Sequence, residues 1–305
     1  MKKFTQASTT FCLAALCSMF AAPSFAAVNV LACEPEWAAL ASEIGGDKVK
    51  VSSATGALQD PHQIQARPSL IARARNADLL VCTGLELEVG WLPVLLQQSA
   101  NPKIASGQPG ALEVGKLVPR LEIPTRLDRS DGDVHAEGNP HIQLDPHNIA
   151  RVADVLTQRL VQIDAGNASY YQAREKDFDG RWKNAMHKWE QDAAPLKGMA
   201  VVEHHKNMEY LMNWLGMHAV GQLEPKPGVE PSAAHLAELA NQLQRTPAKI
   251  VLRAAYQDER ASQWLFEHAR VRPVMLPFTV GGDDKAKDLF SMFDDTVQRL
   301  LEGAK

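Results

Sequence analysis

The residues best suited to chemistry in this sequence are histidines set in rigid, polar loops. Of ten histidines, a few stand in three suggestive blocks: Asp60-Pro61-His62, Asn139-Pro140-His141 and Glu203-His204-His205. Proline fixes its own φ and biases the residue before it toward extended backbone, which holds a following imidazole on a stiff loop. Neutral imidazole is a common protein ligand for first-row metals of intermediate softness. Any one loop histidine is more simply a solvated or turn-capping residue. The chain has no His-Glu-x-x-His helix and no Cys-x-x-Cys pair, so no local motif names a metal site. Periodicity alone does not bring the three blocks together.

The elements that must position them alternate strand and helix. Residues 28–32, 48–52 and 77–81 read as short apolar strands, with helices over 35–44 and 68–75 between them. Gly45-Gly46 stops the first helix. After two long helical stretches the alternation resumes, with strands at 199–203, 218–222, 249–253 and 273–276. Helices are expected at 206–214, 232–244, 259–270 and 285–302, with Ser232 as an N-cap. Such alternation predicts an α/β fold with parallel sheets flanked by helices.

Between the two series, residues 148–164 carry apolar side chains at helical spacing. Residues 167–194 predict a helix of about 42 Å at 1.5 Å per residue, longer than one lobe needs. It reads as a spine, unless Gly180 breaks it into two shorter helices. The domain organisation expected is a signal segment 1–26, an N-terminal α/β lobe 27–166, the linking helix 167–194 and a C-terminal α/β lobe 195–305. Trp37, Trp91, Trp182, Trp189, Trp214 and Trp264 read as core and helix-packing residues, not as a sugar-stacking platform.

Lys2, Lys3, an apolar run over 11–22 and Ser24-Phe25-Ala26 form a secretory signal with a cleavage site before Ala27. The protein is therefore expected in the periplasm, without the signal. A lipid anchor at Cys17 is disfavoured, because Leu16 stands where a small residue is needed. Loss of Lys2 and Lys3 takes the formal charge from −4 to −6, which offers no attraction for nucleic acid or anionic lipid. Only Cys33 and Cys82 would remain, in an oxidising compartment. Each follows an apolar run, so a bridge forms if those strands are neighbours; two buried free thiols are the equal alternative.

Taken together, these blocks resemble the cluster A-I solute-binding proteins, the metal-binding components of zinc or manganese ABC transporters. The likeness runs through Asp60-Pro61-His62, Pro68-Ser69-Leu70, Asn76-Ala77-Asp78-Leu79-Leu80, Gly84-Leu85-Glu86-Leu87-Glu88 and Trp91-Leu92. It continues in residues 139–146, in Glu203-His204-His205 through Tyr210-Leu211, and in residues 224–239. The resemblance implies two Rossmann-like lobes with one metal between them. It implies His62 and His141 as ligands from the first lobe and His205 from the second, the spacing to Tyr210 selecting His205 over His204. The family's usual acid after the last strand is absent from residues 276–280. Asp283, in a Gly281-Gly282 loop, is the expected replacement, with Asp284 next and Glu203 or Asp258 as distant alternatives.

The implied function is capture of Zn²⁺ and its delivery to the permease of an inner-membrane ABC transporter, by a monomer and not by an enzyme. Mn²⁺ is the alternative cargo, and a periplasmic metallochaperone is a further expected partner. The 116–139 loop lacks the histidine-rich tract of many zinc members. His135 and its acids either pass metal inward from such a chaperone or form a plain solvated loop, the simpler expectation. His147, His187, His204, His218, His235 and His268 are read as surface or core residues, His204 adjoining the site. The rival classes are a secreted zinc metallohydrolase with Glu203 as general base and an adhesin of the same architecture.

Overall fold

The computed structural model describes residues 27–305 apart from 129, 131 and 133, so the expected signal segment lies outside the described residues. The first sheet contains β1 (Val28–Ala32), β2 (Val49–Ser53), β3 (Leu79–Cys82) and β4 (Ala111–Glu113), all parallel, in the order β2-β1-β3-β4. The second contains β5 (Ala200–Glu203), β6 (His218–Gln222), β7 (Ile250–Ala254) and β8 (Arg272–Leu276), again parallel, in the order β6-β5-β7-β8. Each sheet reverses its strand order beside its first strand, and the crevice at the strands' carboxyl ends there is where open α/β sheets hold ligands.

Helices cover both faces. Around the first sheet lie α1 (Pro35–Gly45), α2 (Pro68–Arg75), α3 (Leu92–Ser99) and α4 (Pro146–Ile163). The spine is α5 (Ala168–Ala193), followed by α6 (Glu209–Leu215), α7 (Ala233–Leu243), α8 (Arg260–Ala269) and α9 (Leu289–Gly303). Successive strand residues point to opposite faces. Leu31 and Leu80 accordingly enter one core with Leu70, Trp91 and Leu95 of the α2–α3 side, while Val30 and Val81 enter the other with Trp37, Leu40 and Ile44 of α1. That second core runs on without a break into Val201, Ile250, Leu252 and Val274 of the second sheet.

The continuity comes from α5, which packs on α1, α4 and α9. Trp182 stacks on Phe178 and meets Trp189, Phe290 and Phe293 edge-on, at ring separations of 4.9–5.6 Å. Its indole N–H donates to Pro146 O at the start of α4 (2.8 Å), and the Trp189 indole donates to Asp294 Oδ1 on α9 (2.9 Å). Each buried indole thus has the partner it needs. One end of the aromatic stack is fixed to the first lobe and the other to the second. At the α1 end, Arg174 donates to Glu43 O from Nε and Nη2 (2.8 and 2.6 Å).

Cys33 and Cys82 are joined, with Cα atoms 4.8 Å apart, because β1 and β3 are direct neighbours. Two elements escape the sequence reading, α3 and the three-residue β4, which is too short for a periodic signal. The last helix begins at Leu289 and not at Lys285. Asp288 is its cap, with Oδ1 accepting from Ser291 N (2.8 Å) while Ser291 Oγ accepts from Asp288 N (3.0 Å).

The spine is continuous through Gly180, which is exposed. A β-carbon there would meet nothing within 4 Å. Gly180→Ala should therefore stabilise the protein by about 0.5–1 kcal/mol. The check is a higher urea midpoint at an unchanged denaturant slope.

Candidate metal centre

The loops that leave the carboxyl ends of the strands face one another across the gap between the sheets. His62 lies between β2 and α2, His135 and His141 between β4 and α4, and His205 just after β5. Their rings converge. The His62 ring centre is 5.2 Å from that of His135, 5.4 Å from His141 and 5.9 Å from His205. His141 is 6.3 Å from His135 and 5.9 Å from His205. Nitrogens of His62, His135 and His141 lie within 4.8 Å of one another, and the Nε2 atoms of His62 and His135 are 3.2 Å apart. Four nitrogens at about 2.0–2.1 Å from a tetrahedral Zn²⁺ would be about 3.3–3.4 Å apart.

Each loop is stiffened by its own sequence. In Asp60-Pro61-His62 the Asp60 Oδ1 accepts from His62 N (3.0 Å), and in Asn139-Pro140-His141 the Asn139 Oδ1 accepts from His141 N (3.0 Å). Both are Asx turns, with the proline setting the middle residue. The Trp91 indole donates to Pro61 O (2.8 Å) and pins the first turn to the core. The second is tied across the gap: Asn139 Nδ2 donates to Lys206 O (3.0 Å), and the Tyr210 hydroxyl donates to Asn139 O (3.1 Å). Asp145-Pro146-His147 repeats the Asx turn, with Asp145 Oδ1 accepting from His147 N (2.9 Å). That ring, at the head of α4, faces Glu190 (3.4 Å) and stays outside the cluster.

His62 Nδ1 meets Asp60 Oδ1 at 2.7 Å, and His205 Nδ1 meets Glu224 Oε2 at 2.7 Å. His141 differs. It is 1% exposed, and neither ring nitrogen has a hydrogen-bond partner among the described residues. The Phe278 ring lies 5.6 Å away. Burial, then the neighbouring charges of His62, His205 and His135, hold its basicity well below the usual imidazole value. A neutral, buried imidazole with no protein partner loses hydrogen-bond energy in an ordinary core. As a metal donor it does not.

Asp283 is not in this cluster. Its Oδ1 accepts from Lys285 N (2.8 Å) and Ala286 N (3.0 Å), and its other oxygen pairs with Arg299. The Gly281-Gly282 turn serves this local cap, and it is His135 whose donor atoms lie with those of His62 and His141. Of the alternatives, Asp284 is exposed, and Asp258 pairs with Arg260 (2.9 Å). The Glu203 carboxylate accepts from Gln222 Nε2 (3.2 Å) and Met208 N (3.4 Å).

From the sequence His135 is read as part of a metal relay or a solvated loop and not as a ligand, because nothing rigid flanks it. The one available signal was its place six residues before His141 on the same connection. The strap that carries it crosses to the second lobe. Lys226 Nζ donates to Ser130 O, and Gly132, at φ +91°, approaches so closely that a β-carbon would lie 2.4 Å from Pro227 O.

The first lobe buries three carboxyl groups, two of which, those of Glu34 and Glu36, line a small cavity with His141. Glu34 and Glu36 flank Pro35 at the start of α1, and Glu88 accepts from Thr83 N (2.8 Å). Glu36 accepts a hydrogen bond from Thr279 Oγ1 of the second lobe. Burial, partly offset by that bond, pushes Glu36 from its ordinary 4.5 to about 7.

Two outcomes follow from this geometry. His135→Ala should weaken zinc binding at least tenfold in a competition titration with a chromophoric chelator, whereas Asp283→Asn should leave affinity nearly unchanged. Between pH 4.5 and about 7 the native protein keeps a proton on Glu36 that the unfolded chain has released, so native stability falls as pH rises through that window. Glutamine cannot ionise and still accepts from Thr279. The melting temperature of Glu36→Gln relative to the parent should therefore be higher at pH 8 than at pH 5.

A family model described as zinc-uptake complex component A periplasmic, ZnuA, matches residues 30–303. Zinc-binding lipoprotein AdcA of Streptococcus pneumoniae (strain ATCC BAA-255 / R6) is 23% identical over 227 residues, which cover 73% of this chain and 43% of that protein. The chain thus spans about two fifths of the length of that relative. Manganese ABC transporter substrate-binding lipoprotein PsaA of Streptococcus anginosus is 22% identical over 286 residues, 90% of this chain and 89% of that one. A crystal structure of ZnuA shares the fold, with a TM-score of 0.76 at 21% identity, covering 92% of this chain and 100% of that one. Over nearly its whole described length, the chain belongs to the periplasmic zinc-uptake component family, ZnuA.

Proposed function

We propose that this protein captures one Zn²⁺ ion between its lobes, outside the cytoplasm, and delivers it to the permease of an ABC transporter. The observation that carries the proposal is the convergence of four imidazoles, His62, His135, His141 and His205, with His141 buried and its ring nitrogens without a hydrogen-bond partner among the described residues. Membership of the zinc-uptake family supports the transport role. The metal is cargo, and the chain is a binding component, not an enzyme.

Relatives are named for zinc and for manganese, and the donor set favours zinc. Imidazole nitrogens suit Zn²⁺, whereas Mn²⁺ sites are richer in carboxylate and water oxygen, and Zn²⁺ stands above Mn²⁺ in the affinity order. Four imidazoles on one ion would leave no coordination position for the water that a hydrolase needs. Glu203, the expected general base of that rival, is engaged with Gln222 and Met208.

Titration of the metal-free protein should give one zinc per chain. Zinc should displace manganese completely at equal concentrations, and manganese displacing zinc would overturn the choice of cargo. Zinc at about 100 times Kd should stabilise the fold by about 2.7 kcal/mol. That gain should shrink in His62→Ala, His141→Ala and His205→Ala and persist in His218→Ala and His268→Ala.

A further inference from the structure

We infer that Asp60 and Glu224 are positioning residues for metal capture, one in each lobe, which set the tautomer and orientation of His62 and His205 before the ion arrives. This rests on the reading of the four histidines as ligands. An ionised carboxylate only accepts hydrogen bonds. At 2.7 Å from Asp60 Oδ1 and Glu224 Oε2, the Nδ1 atoms of His62 and His205 therefore carry the hydrogens. Each Nε2 is left with its lone pair, and that of His62 lies 3.2 Å from His135 Nε2, inside the cluster.

Both carboxylates are themselves held by backbone. The Asp60 oxygen that meets the ring also accepts from His62 N (3.0 Å), and the Glu224 oxygen that meets His205 also accepts from Gly228 N (2.8 Å). A carboxylate fixed in this way holds ring rotation and tautomer together and raises the basicity of the donor nitrogen.

The third Asx-Pro-His turn is a built-in control. Asp145 Oδ1 holds His147 N and Nδ1 at 2.9 Å each, with the same local geometry, but directs that ring toward Glu190. In the Asp-Pro-His turns the device therefore orients a histidine by local sequence. The fold decides whether the oriented ring serves the metal.

The experiment pairs zinc affinity with histidine tautomers read by long-range ¹⁵N–¹H NMR on metal-free, ¹⁵N-histidine-labelled protein. In the parent protein His62 and His205 should be protonated at Nδ1. Asp60→Ala and Glu224→Ala should each shift the affected ring toward the Nε2–H form and weaken zinc binding about 10–100-fold. Asp60→Asn and Glu224→Gln keep an acceptor oxygen, so they should retain the Nδ1–H tautomer with a smaller loss of affinity. Asp145→Asn should leave affinity unchanged. Parental affinity in folded alanine variants, or Nε2 protonation of His62 and His205 in the parent, would overturn the inference. If the alanine variants do not fold, the parental tautomers and the amide variants decide it. If His62→Ala and His205→Ala themselves bind zinc normally, the ligand reading fails; if they lose it while the carboxylate variants do not, this inference alone falls.

Discussion

Imidazoles from two separate sheets can reach one ion only if the sheets are held at a fixed separation, and α5 imposes that constraint. Its aromatic column of Phe178, Trp182 and Trp189 bonds to the start of α4 at one level and to α9 at the next. The apolar core consequently continues from the first lobe into the second. Close-packed interiors yield little to small forces. The gap between His62 and His141 on one side and His205 on the other is therefore set by packing remote from the metal.

On that frame the strand ends do the local work. Parallel sheets send each connection out at the carboxyl edge, so loops from both lobes face the same gap. Short Asx turns then stiffen the loops with His62 and His141, and the Cys33–Cys82 bridge ties the ends of β1 and β3 beneath them. The connection that carries His135 links the two lobes in a different way. It carries His135 from the first lobe yet rests on Lys226 and Pro227 of the second, on the turn whose root, Glu224, holds His205.

Much of this was legible from residues alone. The strand–helix alternation follows from apolar periodicity, and β1, β6 and α2 fall at their expected bounds. Asx-Pro-His spacing announces a rigid histidine because the turn is made by adjacent residues. What was not legible is long-range or depends on small differences in loop geometry. Asp283 and His135 both sit on glycine-containing loops with neighbouring acids, and no local pattern tells which loop reaches the gap. Arg299, sixteen residues after Asp283, and two amides immediately after it decide that Asp283 caps a turn. Contacts with Lys226 and Pro227, more than ninety residues on, decide where the strap carrying His135 lies. His147 shows the converse: a perfect local motif whose fold position takes it away from the site.

The most direct test of the account is a crystal structure of the zinc-loaded protein. It should show one ion held by His62, His135, His141 and His205 at about 2.0–2.1 Å in tetrahedral geometry, with Asp283 still on the amides of Lys285 and Ala286. An ion bound by three of these histidines and completed by Asp283, or found at another place in the chain, would contradict it.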